Sequence, residues 1–246
     1  MAPRINKSAI HAASLLIAMV SSGFSGTSLA EPPLTTDDAS TLDPGACQVE
    51  TERRRFNRRT ELDIVPACNF FGDTELSIGK LRVVAEGAPR IDSVMYSIKK
   101  VLIAGGEAGW SAGFNAAIIR AAGKASGTRQ NLLTAIFTRP LDANGDTMMH
   151  VNVGWVNDRE AASGTRRNRG AWGAAVESNV SARWTVVAEA FGQQGQPQAA
   201  QLGLRWWAVP KYLQLTTSVG AQRGLGREGR WMSLGVHLET AGSLYY

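Results

Sequence analysis

Between Arg230 and Thr240 every second residue is apolar: Met232, Leu234, Val236 and Leu238 alternate with Ser233, Gly235, His237 and Glu239. Successive side chains of an extended strand point to opposite faces, so this segment has one greasy face and one wet face. The same period recurs upstream. Met149, Val151, Val153 and Trp155 oppose His150 and Asn152. Trp184, Val186, Ala188 and Ala190 oppose Arg183, Thr185 and Glu189, and Ala200, Leu202, Leu204 and Trp206 oppose Gln201, Gly203 and Arg205. A chain made of such strands folds either as a sandwich with its apolar face inward or as a membrane barrel with that face outward.

The N-terminus bears on that choice. Arg4 and Lys7 precede an apolar stretch centred on residues 12–20, and small residues follow up to Ser28-Leu29-Ala30. A charged region, an apolar region and an A-x-A-like site together predict an export signal over 1–30, cleaved after Ala30. No other window approaches 18 consecutive apolar residues, so no membrane-spanning helix is expected. Removing 30 of the 246 residues leaves 216, a length that suits one all-β domain. Loss of Arg4 and Lys7 from 26 basic residues leaves 24 against 21 acidic ones, a small and scattered excess that does not argue for nucleic acid. The densest basic run, Arg53-Arg54-Arg55 with Arg58-Arg59, reads as a solvated hairpin tip, with a polyanion site, including contact with anionic lipopolysaccharide, as the alternative.

Turn residues divide the rest into twelve strands, roughly 46–56, 60–67, 74–86, 91–103, 109–121, 130–139, 147–157, 170–178, 182–192, 199–208, 212–222 and 230–240. Each is near the 9–11 residues that a tilted membrane strand requires, and the even count suits a single-chain bacterial barrel. The predicted organisation is a periplasmic lead-in at 31–45, an antiparallel up-and-down barrel at 46–241 and a short tail at 242–246. Short turns such as residues 140–146 and 209–211 would face the periplasm; longer polar loops, above all 158–169, would face outward. Lys99 and Lys100 are adjacent, so one of them must break the alternation, and it is expected at a rim.

Aromatic residues fall at strand ends. Trp110, Trp184, Trp206, Trp207 and Tyr212 would border the periplasmic side of the membrane, and Trp155, Trp172 and Trp231 the outer side, as two girdles at headgroup level. The wet faces would line the lumen, with Glu61, Asp63, His150, Asn152, Arg183, Glu189, Arg205, His237 and Glu239 as lumen-facing candidates. Both signs of charge are present, which favours a paired network over strong ion selectivity.

Cys47 and Cys68 are the two cysteines of a chain read as exported, so a disulfide is expected. Their midpoint falls between Asn57 and Arg58. A tight turn there would set the two cysteines directly opposite on a hairpin, about 4.5–5.5 Å apart at Cα and within disulfide range.

Catalysis finds little support. Ser233, His237 and Glu239 share a face, but four strand residues span about 13 Å, so Ser233 cannot reach His237 along one strand. No catalytic residue, metal ligand set or cofactor is expected: the 216 residues hold two histidines and no C-x-x-C. Glycine-rich stretches such as 104–109 lack the Lys-Ser/Thr of a phosphate loop and read as turns.

Several motifs in order resemble one family. Thr36-Asp37-Asp38-Ala39, Leu42-Asp43-Pro44-Gly45, Cys47-Gln48-Val49-Glu50, Pro66-Ala67-Cys68-Asn69 and Thr74-Glu75-Leu76 open the series. Gly154-Trp155, Ala188-Glu189-Ala190-Phe191-Gly192, Leu202-Gly203-Leu204-Arg205-Trp206-Trp207 and Arg230-Trp231-Met232-Ser233-Leu234-Gly235 continue it. The set is similar to proteobacterial outer-membrane barrels of the phenol-degradation meta-pathway type. That resemblance implies an outer-membrane transporter without established catalytic residues. One departure is the tail Ser243-Leu244-Tyr245-Tyr246, which offsets the terminal aromatic from the last strand.

The sequence therefore points to a barrel in the outer membrane of a Gram-negative bacterium, passing a small solute, hydrophobic or otherwise. Its expected partners are membrane lipid, lipopolysaccharide and, during insertion, the barrel-assembly machinery. A non-transporting envelope barrel that uses its long loop for surface contacts is the first alternative. A soluble periplasmic sandwich or lipocalin-like binder is the second; it would bury the apolar face and need no girdles.

Overall fold

A computed structural model describes residues 34–105, 109–122, 127, 129–159, 164 and 166–240. The signal at 1–30 and the tail at 242–246 lie outside them. Twelve strands form one closed antiparallel barrel in which each strand bonds to the next and the last bonds to the first. They are β1 (Cys47–Phe56), β2 (Arg59–Asn69), β3 (Thr74–Ala85), β4 (Ile91–Ile103), β5 (Ser111–Ala121) and β6 (Arg129–Pro140). They continue as β7 (Thr147–Arg159), β8 (Arg166–Ser181), β9 (Trp184–Gln193), β10 (Ala199–Val209), β11 (Leu213–Gln222) and β12 (Arg230–Glu239). Closure leaves no free edge, which is what a sheet needs where water cannot satisfy its backbone.

The pleat sorts the side chains in the sense of a membrane barrel. Val153, Leu202 and Leu234 face outward, each more than 60 % exposed. His150, Gln201, Arg205, Ser218 and Ser233 face inward and are buried. A soluble sandwich or lipocalin would show the inverse, so the sidedness removes that reading.

The first hairpin turns at Asn57-Arg58, and this fixes its register. Arg55 pairs with Thr60 and Cys47 with Cys68, whose Cα atoms are 4.1 Å apart and whose sulfurs are bonded. Closing a loop of this size constrains the unfolded chain by on the order of 3 kcal/mol. Replacing both cysteines with serine should lower the urea midpoint of the lipid-embedded barrel; a midpoint equal to the parent's would show that the cross-link constrains nothing.

At the opposite end of the strands several turns are tight. Asp142 caps one of them, accepting backbone N–H groups from Asn144 (3.1 Å), Asp146 (2.9 Å) and Thr147 (2.6 Å). Gly145 in that turn has φ +73°, a conformation that glycine takes without steric cost. Three register shifts, at Val101/Ile103, Asn179/Ser181 and Trp207/Val209, all fall at this end, where bulges add local twist.

One boundary differs from expectation. Half of the loop expected at 158–169 is strand: β7 runs on to Arg159 and β8 starts at Arg166, with the two residues paired. Side chains reinforce the extension outside any apolar band. Asn131 donates to Asn157 (3.3 Å), and Asn157 donates to Asn168 (2.8 Å). Polar composition marks a segment that leaves lipid, but the backbone ladder continues into it as far as Arg159 and Arg166.

Candidate functional site: a plugged lumen

The lumen is occupied by the chain's own N-terminal segment. Residues 34–39, part of the predicted periplasmic lead-in, enter the barrel from the tight-turn end. Leu34, Thr36, Asp37 and Ala39 are all buried. Entry is fixed at the β2–β3 turn, where Gly45 N–H donates to the Asn69 carbonyl at 2.8 Å. The fully buried Asn69 side chain donates to the carbonyls of Leu42 (2.6 Å) and Gly72 (2.8 Å).

Inside, opposite walls grip the segment. On the β4 side, Lys99 Nζ lies 2.7 Å from Asp37 Oδ1 and 2.8 Å from Asp38 Oδ1. Asn115 Nδ2 on β5 adds a 3.2 Å bond to Asp37 Oδ2. On the β9 side, the Glu189 carboxylate accepts the backbone N–H of Thr35 at 2.9 Å and that of Thr36. Gln201 Nε2 braces Glu189 from β10 at 2.6 Å. Leu34 packs against Ala175 and Val187. Gly173 matters here, because a Cβ at that position would run into Thr36 Oγ1.

A chain of polar contacts continues through the wall. Ala39 N–H donates to Thr138 Oγ1 (2.8 Å), which lies 2.9 Å from His150 Nδ1. His150 Nε2 is 3.7 Å from Glu177, whose other oxygen is 2.6 Å from Arg205 Nη1. Next to the segment a cavity of about 100 Å³ remains, floored by Thr35, Thr36 and Asp37 and walled by Asn152, Leu132, Val156 and Phe191.

A second inward network spans β1, β2 and β12. His237 Nδ1 is 3.2 Å from Glu50, and its Nε2 is 3.6 Å from Glu239. Arg54 pairs with Glu52 at 2.9 Å and approaches Glu61 at 3.8 Å. Asp63 accepts the backbone N–H of Glu52 at 2.9 Å. Ser233 Oγ sits 2.7 Å from Ser218 Oγ, while His237 engages the glutamates. Among the described residues, no cluster of three or more His, Cys, Asp or Glu side chains is arranged to hold a metal.

Not every candidate lies where the sequence suggested. Arg183 is exposed in the turn before β9, not lumen-facing: its parity is inward, but the strand begins one residue later. Trp231 is not part of an outward girdle. It is 6 % exposed and points into the lumen with Phe56 (ring centroids 5.6 Å) and Phe191 (6.4 Å). The Arg54 guanidinium lies over its ring at 5.8 Å. Trp207 likewise faces inward, opposite buried Gln214 and edge-on to His237 at 5.9 Å. The remaining girdle aromatics face outward: Trp155, Trp172, Trp184 and Tyr212 are exposed, Trp184 stacks on Trp206, and Trp110 stacks on Phe137. The adjacent lysines split as the alternation demands. Lys99 enters the lumen, and Lys100 sits outside at the rim, 2.7 Å from Asp73 in the turn. The arginine run divides in the same way. Arg54 faces inward, Arg53 and Arg55 face outward, and Arg58 in the turn meets Glu86 at 3.0 Å.

An apolar exterior around a polar lumen filled by the chain's own N-terminal segment defines a β-barrel of the transmembrane kind. The chain belongs to the family described as uncharacterised conserved protein UCP029691, whose model matches residues 18–240. No curated protein sequence matches it. Among solved structures it is similar to the KdgM porin in complex with disordered oligogalacturonate, with a TM-score of 0.60 at 10% identity over 78% of this chain and 98% of that one. A COG4313 outer membrane channel from Pseudomonas putida F1 gives 0.56 at 11% identity over 85% and 98%. The NanC porin gives 0.53 at 10% identity over 79% and 98%. These likenesses establish the shared barrel fold.

Proposed function

We propose that the protein is an outer-membrane channel whose lumen is closed at rest by residues 34–40, and that it passes a small amphipathic solute. The observation that carries this reading is the character of the closure. The segment is gripped by two polar clamps, Lys99 and Glu189, on facing walls, rather than by an extensive apolar core. Such a clamp can release without unfolding the barrel, whose backbone ladder is independent of it. The lining supports the solute class. Val65, Leu81, Met95, Ala117 and Ile119 make an apolar patch on one side of the lumen, and Phe56, Phe191 and Trp231 make another. An amphipathic solute would find both greasy and polar contacts along this path. Outer-membrane placement, contact with lipopolysaccharide and insertion by the barrel-assembly machinery belong to the same proposal, as does kinship of role with the phenol-pathway barrels.

The test is conductance in planar bilayers and solute-driven swelling of proteoliposomes. The parent protein should be nearly silent, and a variant lacking residues 34–40 should conduct. One specific observation favours a second reading, a non-transporting envelope barrel: Met95 is fully buried and fills the space left by Gly79, where a Cβ would lie 2.9 Å from its Cε. If the truncated barrel inserts, shows heat-modifiable mobility and stays silent, the second reading replaces the first.

A further inference from the structure

The outward wall carries a cluster of cations that the lumen does not use. Toward the loop end of β1–β6, outward positions hold Arg53, Arg55, Lys80, Arg82, Arg120 and Arg129. The register gathers them. Leu62 is flanked by Arg53 on one side and Arg82 on the other. Lys80 and Arg120 flank Val94, and Arg129 follows beside Arg120. The main acid in this field is Asp92, already 2.7 Å from Arg82 and 2.8 Å from Arg90. Among the described residues, no carboxylate comes within ion-pair distance of Arg53, Arg55, Lys80 or Arg120.

One step toward the turns, the same wall becomes apolar, with exposed Ile64, Ile78, Tyr96, Ile118 and Leu133. The cations thus border the greasy band. A cation on the lipid face is costly at the bilayer midplane, and the cost falls toward zero at the interface, so this border marks headgroup level. Outward Arg159, Arg166 and Arg230 continue the cations onto β7, β8 and β12, and β9–β11 are spared. On β9–β11 the corresponding outward residues near the loop end are Gly192, Ala200 and Ala221.

We infer that this collar is a binding surface for a phosphorylated glycolipid of the outer leaflet, that is, for the lipid A phosphates of lipopolysaccharide. Guanidinium groups match phosphate oxygens in bidentate geometry, and the adjoining isoleucines and Tyr96 offer an acyl chain its track. The inference rests on the outer-membrane placement proposed above, with the loop end outward, and is independent of whether the lumen conducts.

The experiment compares the detergent-folded protein with the fourfold variant R53Q/K80Q/R82Q/R120Q. Each is incubated with lipopolysaccharide, dephosphorylated lipid A or phosphatidylglycerol, and bound lipid per barrel is read by native mass spectrometry. Heat-modifiable mobility reports folding, and conductance of the truncated form reports the channel separately. Lipopolysaccharide should bind the parent and lose at least about tenfold in the variant, since each interfacial cation contributes roughly a fivefold gain for an anionic lipid surface. Dephosphorylated lipid A and phosphatidylglycerol should bind the parent no better than lipopolysaccharide binds the variant. Equal binding by a folded variant overturns the inference, as does phosphatidylglycerol binding that matches lipopolysaccharide. If the fourfold variant fails to fold, R53Q and R120Q singly should each show the fivefold loss; binding unchanged in both overturns it.

Discussion

Replacing Lys99 with methionine is expected to raise the conductance of the intact barrel sharply. The ammonium is the cation shared by Asp37 and Asp38, at 2.7 and 2.8 Å. Asp37 is 3 % exposed, and Asn115 also holds its side chain. Without Lys99, two adjacent carboxylates held against the lumen wall lose the cation that they share. Removing one member of a buried pair typically costs 3–5 kcal/mol, because the other is left uncompensated. Here the penalty applies only while the segment stays inside, so it acts on the closed state alone. About 3 kcal/mol shifts a two-state balance by on the order of a hundredfold. The strand ladder is untouched, so thermal stability of the barrel should change little. Lys99→Arg keeps the charge and should stay closed, whereas Lys99→Met should open. If Lys99→Met gives the parent's conductance while the truncated form conducts, the β4 clamp is not what holds the segment.

Glu189 should act in the same direction by a different route, since it receives backbone N–H groups rather than a charge. Glu189→Gln keeps an acceptor and should open the lumen less than Lys99→Met does. The two clamps thus separate the electrostatic part of the closure from its hydrogen-bonded part.

The barrel was readable because strands announce themselves locally. Alternation over 199–208 and 230–240 gives both the existence of those strands and the face each residue takes, and the midpoint of Cys47 and Cys68 gives the first turn. The plug was not readable in that way. Residues 34–39 have no periodicity, and their partners are remote: Lys99 lies 62 positions beyond Asp37, and Glu189 lies 154 beyond Thr35. A signal did exist in the charges. An inward lysine at 99 requires an acid, and Asp37-Asp38 is an acidic pair with no local cation. Where a strand must place a lysine in a narrow lumen, the chain has to supply a counter-charge from somewhere. The error at Trp231 has another origin. Its position at a strand end suggested a girdle, but its parity with Ser233, Gly235 and His237 placed it on the wet face. Parity is imposed by the backbone, whereas girdle placement is only a preference, so parity prevails.

That inward tryptophan supports the second large prediction. Trp231→Ala should lower the barrel's unfolding midpoint by an amount corresponding to about 3 kcal/mol or more, the usual cost of removing a buried aromatic. The ring packs on Phe56 and Phe191 and lies under the Arg54 guanidinium. It also lies directly against Gly220, its cross-strand partner on β11. A Cβ at 220 would run into the ring, with the Cη2 atom 2.7 Å away and others nearer. Gly220→Ala alone should therefore cost about 1–3 kcal/mol by overpacking. In the Trp231→Ala background the ring is gone, and the same methyl fills part of the space left behind. The double variant should then be no less stable than Trp231→Ala alone, a coupling of about 1 kcal/mol or more between the two sites. Urea titration of the four proteins in lipid measures it. Strict additivity would mean that the ring does not lie over Gly220, and would return Trp231 to the lipid-facing girdle that its place in the sequence first suggested.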